Sequence, residues 1–179
     1  MITISPELSL KSIHIHDLHQ LIALTKQIYP PSYGHLWKDK GENYLNQNYN
    51  YGNLNKELSE AHSHYYFIEH RSVIAGILRL QHNRPPYDLP KLQATKLHRL
   101  YLAPYLQGKG IGQALMDWTV GQSLENKSSV LWLEAMDTQA QALKFYQKNG
   151  FTISGRFNLE LDFIHGSLKG MFRMQKELL

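Results

Sequence analysis

The sequence predicts a mixed α/β (α+β) fold, and three observations carry that prediction. Segments such as His64 to Glu69 and Val73 to Leu80 read as strands, whereas other segments place apolar residues at helical spacing. In the second half a strand, a glycine-rich loop, a helix and a buried strand follow in order from Lys96 to Ala135, which is a β-α-β unit. The 179 residues are 42% hydrophobic and 19% charged, a globular composition that fits one domain over 1–179 with a core of its own.

Taken in order, residues 13 to 29 begin with a short extended segment. Asp17 then stands at a helix start, before Leu18, Leu21, Ile22 and Ile28 on one face. From Pro30 to Tyr51 the chain is rich in Tyr, Asn and Gly, which predicts a loop with short helical pieces. Residues 54 to 61 read as the end of a second helix, and His64 to Leu80 as a hairpin turned at His70 to Ser72. Lys96 to Leu102 alternates as a strand that Pro104 ends. A helix then carries Ile111, Ala114, Leu115 and Trp118 on one face, and Val130 to Ala135 is a buried strand. A further helix, from about Thr138 to Asn149, buries Ala142, Leu143 and Tyr146 and stops at Gly150. Strands over Phe151 to Ser154 and Met171 to Leu178 complete the reading.

Composition removes several classes of function. With no cysteine there is no disulfide, thiolate metal site or cysteine nucleophile. No stretch approaches the roughly 18 unbroken apolar residues of a membrane span, and the N-terminus lacks a basic segment followed by an apolar run, so a cytoplasmic protein without membrane association is expected. The net charge of +4 is spread over scattered Lys and Arg, the pattern of a solvated surface and not of a nucleic-acid patch. Ten histidines, among them the pairs His14/His16 and His62/His64, show no metal-ligand spacing, so no metal is expected.

The chemistry is expected at Gln107-Gly108-Lys109-Gly110-Ile111-Gly112, between a strand and a helix. Glycines there let backbone N–H groups converge on an anion at the positive end of a helix, and Lys109 adds a full charge. A plain glycine turn is one alternative reading. A dinucleotide loop is another, but counted from Gly108 it needs a small residue where Gln113 stands. A Walker loop fails on spacing.

Leu100-Tyr101-Leu102, Pro104 and the Gln107 to Gly112 run resemble the signature of the Gcn5-related N-acetyltransferase (GNAT) superfamily, whose Arg/Gln-x-x-Gly-x-Gly/Ala pattern falls on Gln107, Gly110 and Gly112. Ala142 to Phe151 is similar to the family's second coenzyme A motif, and the nearest likeness is to bacterial polyamine N-acetyltransferases. The resemblance implies a mostly antiparallel sheet of about seven strands, splayed near the fourth and flanked by about four helices. It also implies acetyl-CoA as cosubstrate, a small-molecule amine as acceptor, and leaves a homodimer open. Backbone groups of Leu100, Tyr101 and Leu102 would bind the pantetheine arm and polarise the thioester oxygen. Gln107 to Gly112 would hold the pyrophosphate. Gln139 or Gln141 stands near the position where relatives use an Asn on that arm.

Tyr146 matches the tyrosine that protonates the departing sulfur, and a phenol near its ordinary pKa of about 10 is protonated at neutral pH. Its alternative role is a packed aromatic. His98 stands where polyamine acetyltransferases carry a carboxylate, and reads either as a substitute base or as a hydrogen-bonded strand histidine. Tyr29, Tyr33, Trp37, Tyr44 and Tyr49 supply rings that can hold an alkylammonium, with Asp39, Glu42 and Glu57 as the nearby acids. The expected function is acetyl transfer to a primary amine, a polyamine or another small amine. A non-catalytic acetyl-CoA sensor and a protein N-terminal or lysine acetyltransferase are the alternatives.

Overall fold

The computed structural model describes residues 1–178. The strands are β1 (Ile2–Ser5), β2 (Leu8–Ser12), β3 (Ser63–His70), β4 (Val73–Gln81), β5 (Ala94–Leu102), β6 (Val130–Met136), β7 (Thr152–Asn158) and β8 (Gly170–Glu177). The α-helices are α1 (Leu18–Tyr33), α2 (Glu42–Asn48), α3 (Tyr51–Ser59), α4 (Ile111–Glu125) and α5 (Ala140–Lys148). All eight strands form one open sheet in the order β1-β2-β3-β4-β5-β6-β8-β7, with β5 and β6 parallel and every other neighbouring pair antiparallel.

Two details differ from the sequence reading. The first extended segment lies before residue 13: Leu8 and Leu10 alternate inward on β2, which pairs with β1 as a short hairpin, and the chain is already in a 3-10 turn at Ile15–Asp17. The additional N-terminal strand makes the count eight and moves the strand expected as fourth to β5. In addition, α1 does not end at Pro30 but runs through Pro30 and Pro31 to Tyr33. Each proline removes one i→i−4 hydrogen bond. Burial of Ile28 and Tyr29 holds the turn together, and Gly34 N–H closes it onto the Pro30 carbonyl.

The β3–β4 hairpin turns at Arg71 and Ser72, which both have positive φ (51° and 65°), the backbone of a tight primed turn achieved without glycine. Alternate residues of β3 feed two cores. Tyr66 and Ile68 join the cluster with Leu115 and Met116 of α4, while Tyr65 and Phe67 join the cluster with Leu21 of α1 and Leu54 of α3. Helices therefore cover both faces of the sheet. None of the helices among the described residues is long and apolar enough to cross a membrane.

Two irregularities of β5 position the site. Along β4 the partners step from Arg79↔Arg99 to Leu80↔Leu97, so His98 is the additional residue of a β-bulge. On its other side β5 pairs with β6 only through Ala94, Thr95 and Lys96. Beyond Lys96 the two parallel strands part, β6 continues on β8 through Met136, and the β5 edge is left without a strand partner. That is the splay the resemblance implied.

Candidate active site

The opening between β5 and β6 forms a cleft with two lobes of about 200 and 240 Å³. Six residues line both and mark where they join: Tyr33, Leu100, Tyr101, Gln139, Ala142 and Tyr146.

The larger lobe collects most of the residues expected to hold a coenzyme. Leu100, Tyr101 and Leu102 form one wall, Gln107, Gly108 and Gly112 the end, and Gln139 and Gln141 the lip. Gly108 and Gly110 have φ of +74° and +76°, and a Cβ at either would meet no atom, so glycine is required by backbone conformation and not by lack of space. Gly110 stands at the start of α4, whose first-turn N–H groups have no intrahelical acceptor. Open space beside an unstrained cradle of donors, continuous with an unpaired strand edge, suits a pyrophosphate followed by an amide-bearing arm. Lys109, Gly110 and Ile111 do not line this lobe. The Lys109 ammonium lies over the exposed Tyr105 ring at 5.9 Å, and Ile111 is buried in the α4 core. From α1, Ile28, Ser32 and Tyr33 complete the wall. The sequence reading overlooked Ile28 and Ser32 as site residues because it ended α1 at Pro30, although Ile28 and Ser32 lie four residues apart and so share a helical face.

The smaller lobe is aromatic. Tyr29 stacks on Tyr33 and Tyr44 with centroids 4.9 and 4.8 Å apart, Trp37 stacks on Tyr44 at 4.9 Å, and Tyr101 meets Tyr29 edge-on at 5.4 Å. Trp37 Nε1 donates to the Tyr29 hydroxyl at 3.0 Å. Tyr49 lies outside the lobe, buried with its ring 4.8 Å from the Arg99 guanidinium and its hydroxyl without a hydrogen-bond partner among the described residues. Tyr146 faces the junction, packed between Phe145 and Phe151. Burial, and secondarily Tyr33, raises its pKa well above that of a free phenol, so it holds its proton throughout the working pH range. Burial first and Tyr44 second push Tyr33 up to about 12.

Behind the aromatic wall is an ionic network that the sequence did not reveal. Arg79 reaches Glu57 at 3.0 Å, Glu60 at 2.6 Å and Ser63 at 3.1 Å; Arg99 grips both Glu57 oxygens and donates to Tyr65 at 2.8 Å. These contacts tie α3 to β4 and β5 with the two guanidinium charges matched by two carboxylates. His98 takes part: its Nδ1 is 2.9 Å from Arg79 Nη1. A guanidinium only donates, so Nδ1 is the acceptor and the imidazole proton is on Nε2. Burial, followed by the charges of Arg99, Arg79, Lys96 and Arg84, pushes the His98 pKa far below its ordinary value. His98 is a neutral imidazole whose basic lone pair is already engaged.

A family profile described as "Acetyltransferase (GNAT) family" matches residues 20–151. An uncharacterized N-acetyltransferase from the pepI 3′ region of Lactobacillus delbrueckii subsp. lactis is 26% identical over 140 residues, covering 76% of this chain and 79% of that one. Among solved structures, the PaiA N-acetyltransferase of Thermoplasma acidophilum in complex with coenzyme A superposes with a TM-score of 0.71 at 21% identity, over 95% of this chain and 98% of that chain. Spermidine N-acetyltransferase of Vibrio cholerae in complex with CoA and spermine gives 0.70 at 18%, over 97% of both chains.

Proposed function

The chain belongs to the GNAT family of acetyltransferases, and we propose that it transfers an acetyl group from acetyl-CoA directly to the primary amino group of a small molecule. The observation that carries this reading is the junction of the two lobes, where a protonated phenol, Tyr146, stands between a coenzyme-shaped cradle and an aromatic chamber. The coenzyme lies in the larger lobe with its pyrophosphate against Gln107 to Gly112 and its arm along Leu100 to Leu102. The amine enters through the aromatic lobe.

Acetyl-CoA supplies an activated thioester; the protein supplies position, a polarising N–H and a proton. The amine arrives without its ammonium proton, its nitrogen bonds to the thioester carbon, and the carbon–sulfur bond breaks. The Tyr146 hydroxyl gives its proton to sulfur, and the proton lost by nitrogen restores the phenol. Tyr146 is protonated at working pH, so the proton is in place when the sulfur leaves, and the proton from nitrogen makes good its loss. Of the two sequence readings of His98, a substitute base or a hydrogen-bonded strand histidine, the contact with Arg79 favours the second, because no free lone pair is left on that side; we assign it to the wall of the acceptor lobe as an Nε2–H donor. The likeness in fold to spermidine N-acetyltransferase supports including polyamines among the acceptors tested.

Thiol release from acetyl-CoA, measured with a panel of amines beside calorimetric binding of coenzyme A, tests the reading. Release with an amine is expected. Binding without release for any amine would convert the protein to a sensor.

A further inference from the structure

The acceptor lobe has a chemistry more specific than "amine". Its walls are the rings of Tyr29, Tyr33, Trp37, Tyr44 and Tyr101, with Leu36, Leu133, Met136, Leu159 and Met171 completing an apolar lining. The charged side chains that reach it are already paired. Glu134 accepts from Lys96 Nζ at 2.7 Å, and Arg99 is held on both oxygens of Glu57. Behind Arg99, Arg79 is matched by Glu57 and Glu60, and His98 is neutral. Among the described residues the lobe therefore offers no free carboxylate.

This balance decides between amines. A polyamine carries two or more further ammonium groups besides the one that is acetylated. Each must leave water, and rings alone repay that for one cation at best when no carboxylate takes part. A monoamine with an apolar or aromatic body has only the one ammonium, which it sheds before it arrives, and it matches the walls with its body. A volume of about 200 Å³ also lies below the roughly 300–1,000 Å³ of sites for drug-sized ligands, which suits a single ring on a short chain.

Resting on the acetyltransferase reading above, we infer that the acceptor is a small primary monoamine with an apolar, ring-bearing body, and that polycationic amines are poor substrates. The discriminating experiment compares kcat/KM for phenethylamine, hexylamine and spermidine with the intact protein, repeated with Leu159→Glu, which adds an unpaired carboxylate to the lobe. The expected result is a preference for phenethylamine over spermidine of about tenfold or more, shifting toward spermidine in Leu159→Glu. A preference for spermidine in the unaltered protein overturns the inference and leaves acetyl transfer standing. No thiol release with any of these amines, in protein that binds coenzyme A, overturns both.

Discussion

Two side chains of the cleft have opposite relations to their protons. Desolvation raises the Tyr146 pKa, so the phenol is protonated at working pH, and in the proposed reaction its proton goes to the departing sulfur while the proton lost by nitrogen replaces it. Tyr146→Phe keeps the packing against Phe145 and Phe151 and removes only the hydroxyl. It is expected to lower kcat by about 10²-fold while the Kd of coenzyme A stays nearly unchanged. A matching loss of affinity would make Tyr146 a packing residue. His98 is surrounded by positive charge and accepts from Arg79, so its protonation does not fall between pH 5 and 8. His98→Gln should lower the rate without moving the acidic limb of the pH-rate profile; a limb that disappears with the imidazole would identify His98 as the base. The sequence placed both residues on the right elements. It could not show which nitrogen of His98 was free, because Arg79 is 19 residues away and meets it only across a bulge.

At the scale of elements, the glycine loop and β5 do most of the positioning, and both were legible. Gly108, Gly110 and the strand Lys96 to Leu102 signal themselves by composition and alternation within a few residues. The elements that were misplaced depend on distant partners. β1 and β2 are too short to show a strong period, with Pro6 between them, and form because Leu8 and Leu10 find the core through β3. The last turn of α1 defies its own prolines because tertiary burial outweighs two missing hydrogen bonds. For Gly110, the φ of +76° sets the cost of a side chain at about 1–2 kcal/mol although no atom stands in its way. Gly110→Ala should therefore leave a folded protein whose coenzyme A Kd, read by calorimetry, rises about tenfold. An unchanged Kd would remove the start of α4 from the cradle.

Over the whole molecule, one continuous sheet is opened at a single seam, and its acid response follows from histidines whose charged form the fold disfavours. The pKa of His82 is lowered to about 4 by burial first and then by His64 and His62, and those of His64 and His98 are lowered as well. In the unfolded chain these groups take up protons near pH 6.5, so below that value the unfolded state binds more protons and native stability falls. For His82 the loss accumulates from pH 6.5 down to about 4. The urea midpoint should be lower at pH 4.5 than at pH 7.5; an equal or higher midpoint would contradict the sign. The central claim is that the seam brings acetyl-CoA and amine together for direct transfer, with no acetyl-enzyme between them. Initial rates of thiol release with both substrates varied test it most directly. Direct transfer predicts intersecting double-reciprocal lines, because both substrates must be bound before either product leaves; parallel lines would reveal an acetylated enzyme and contradict it.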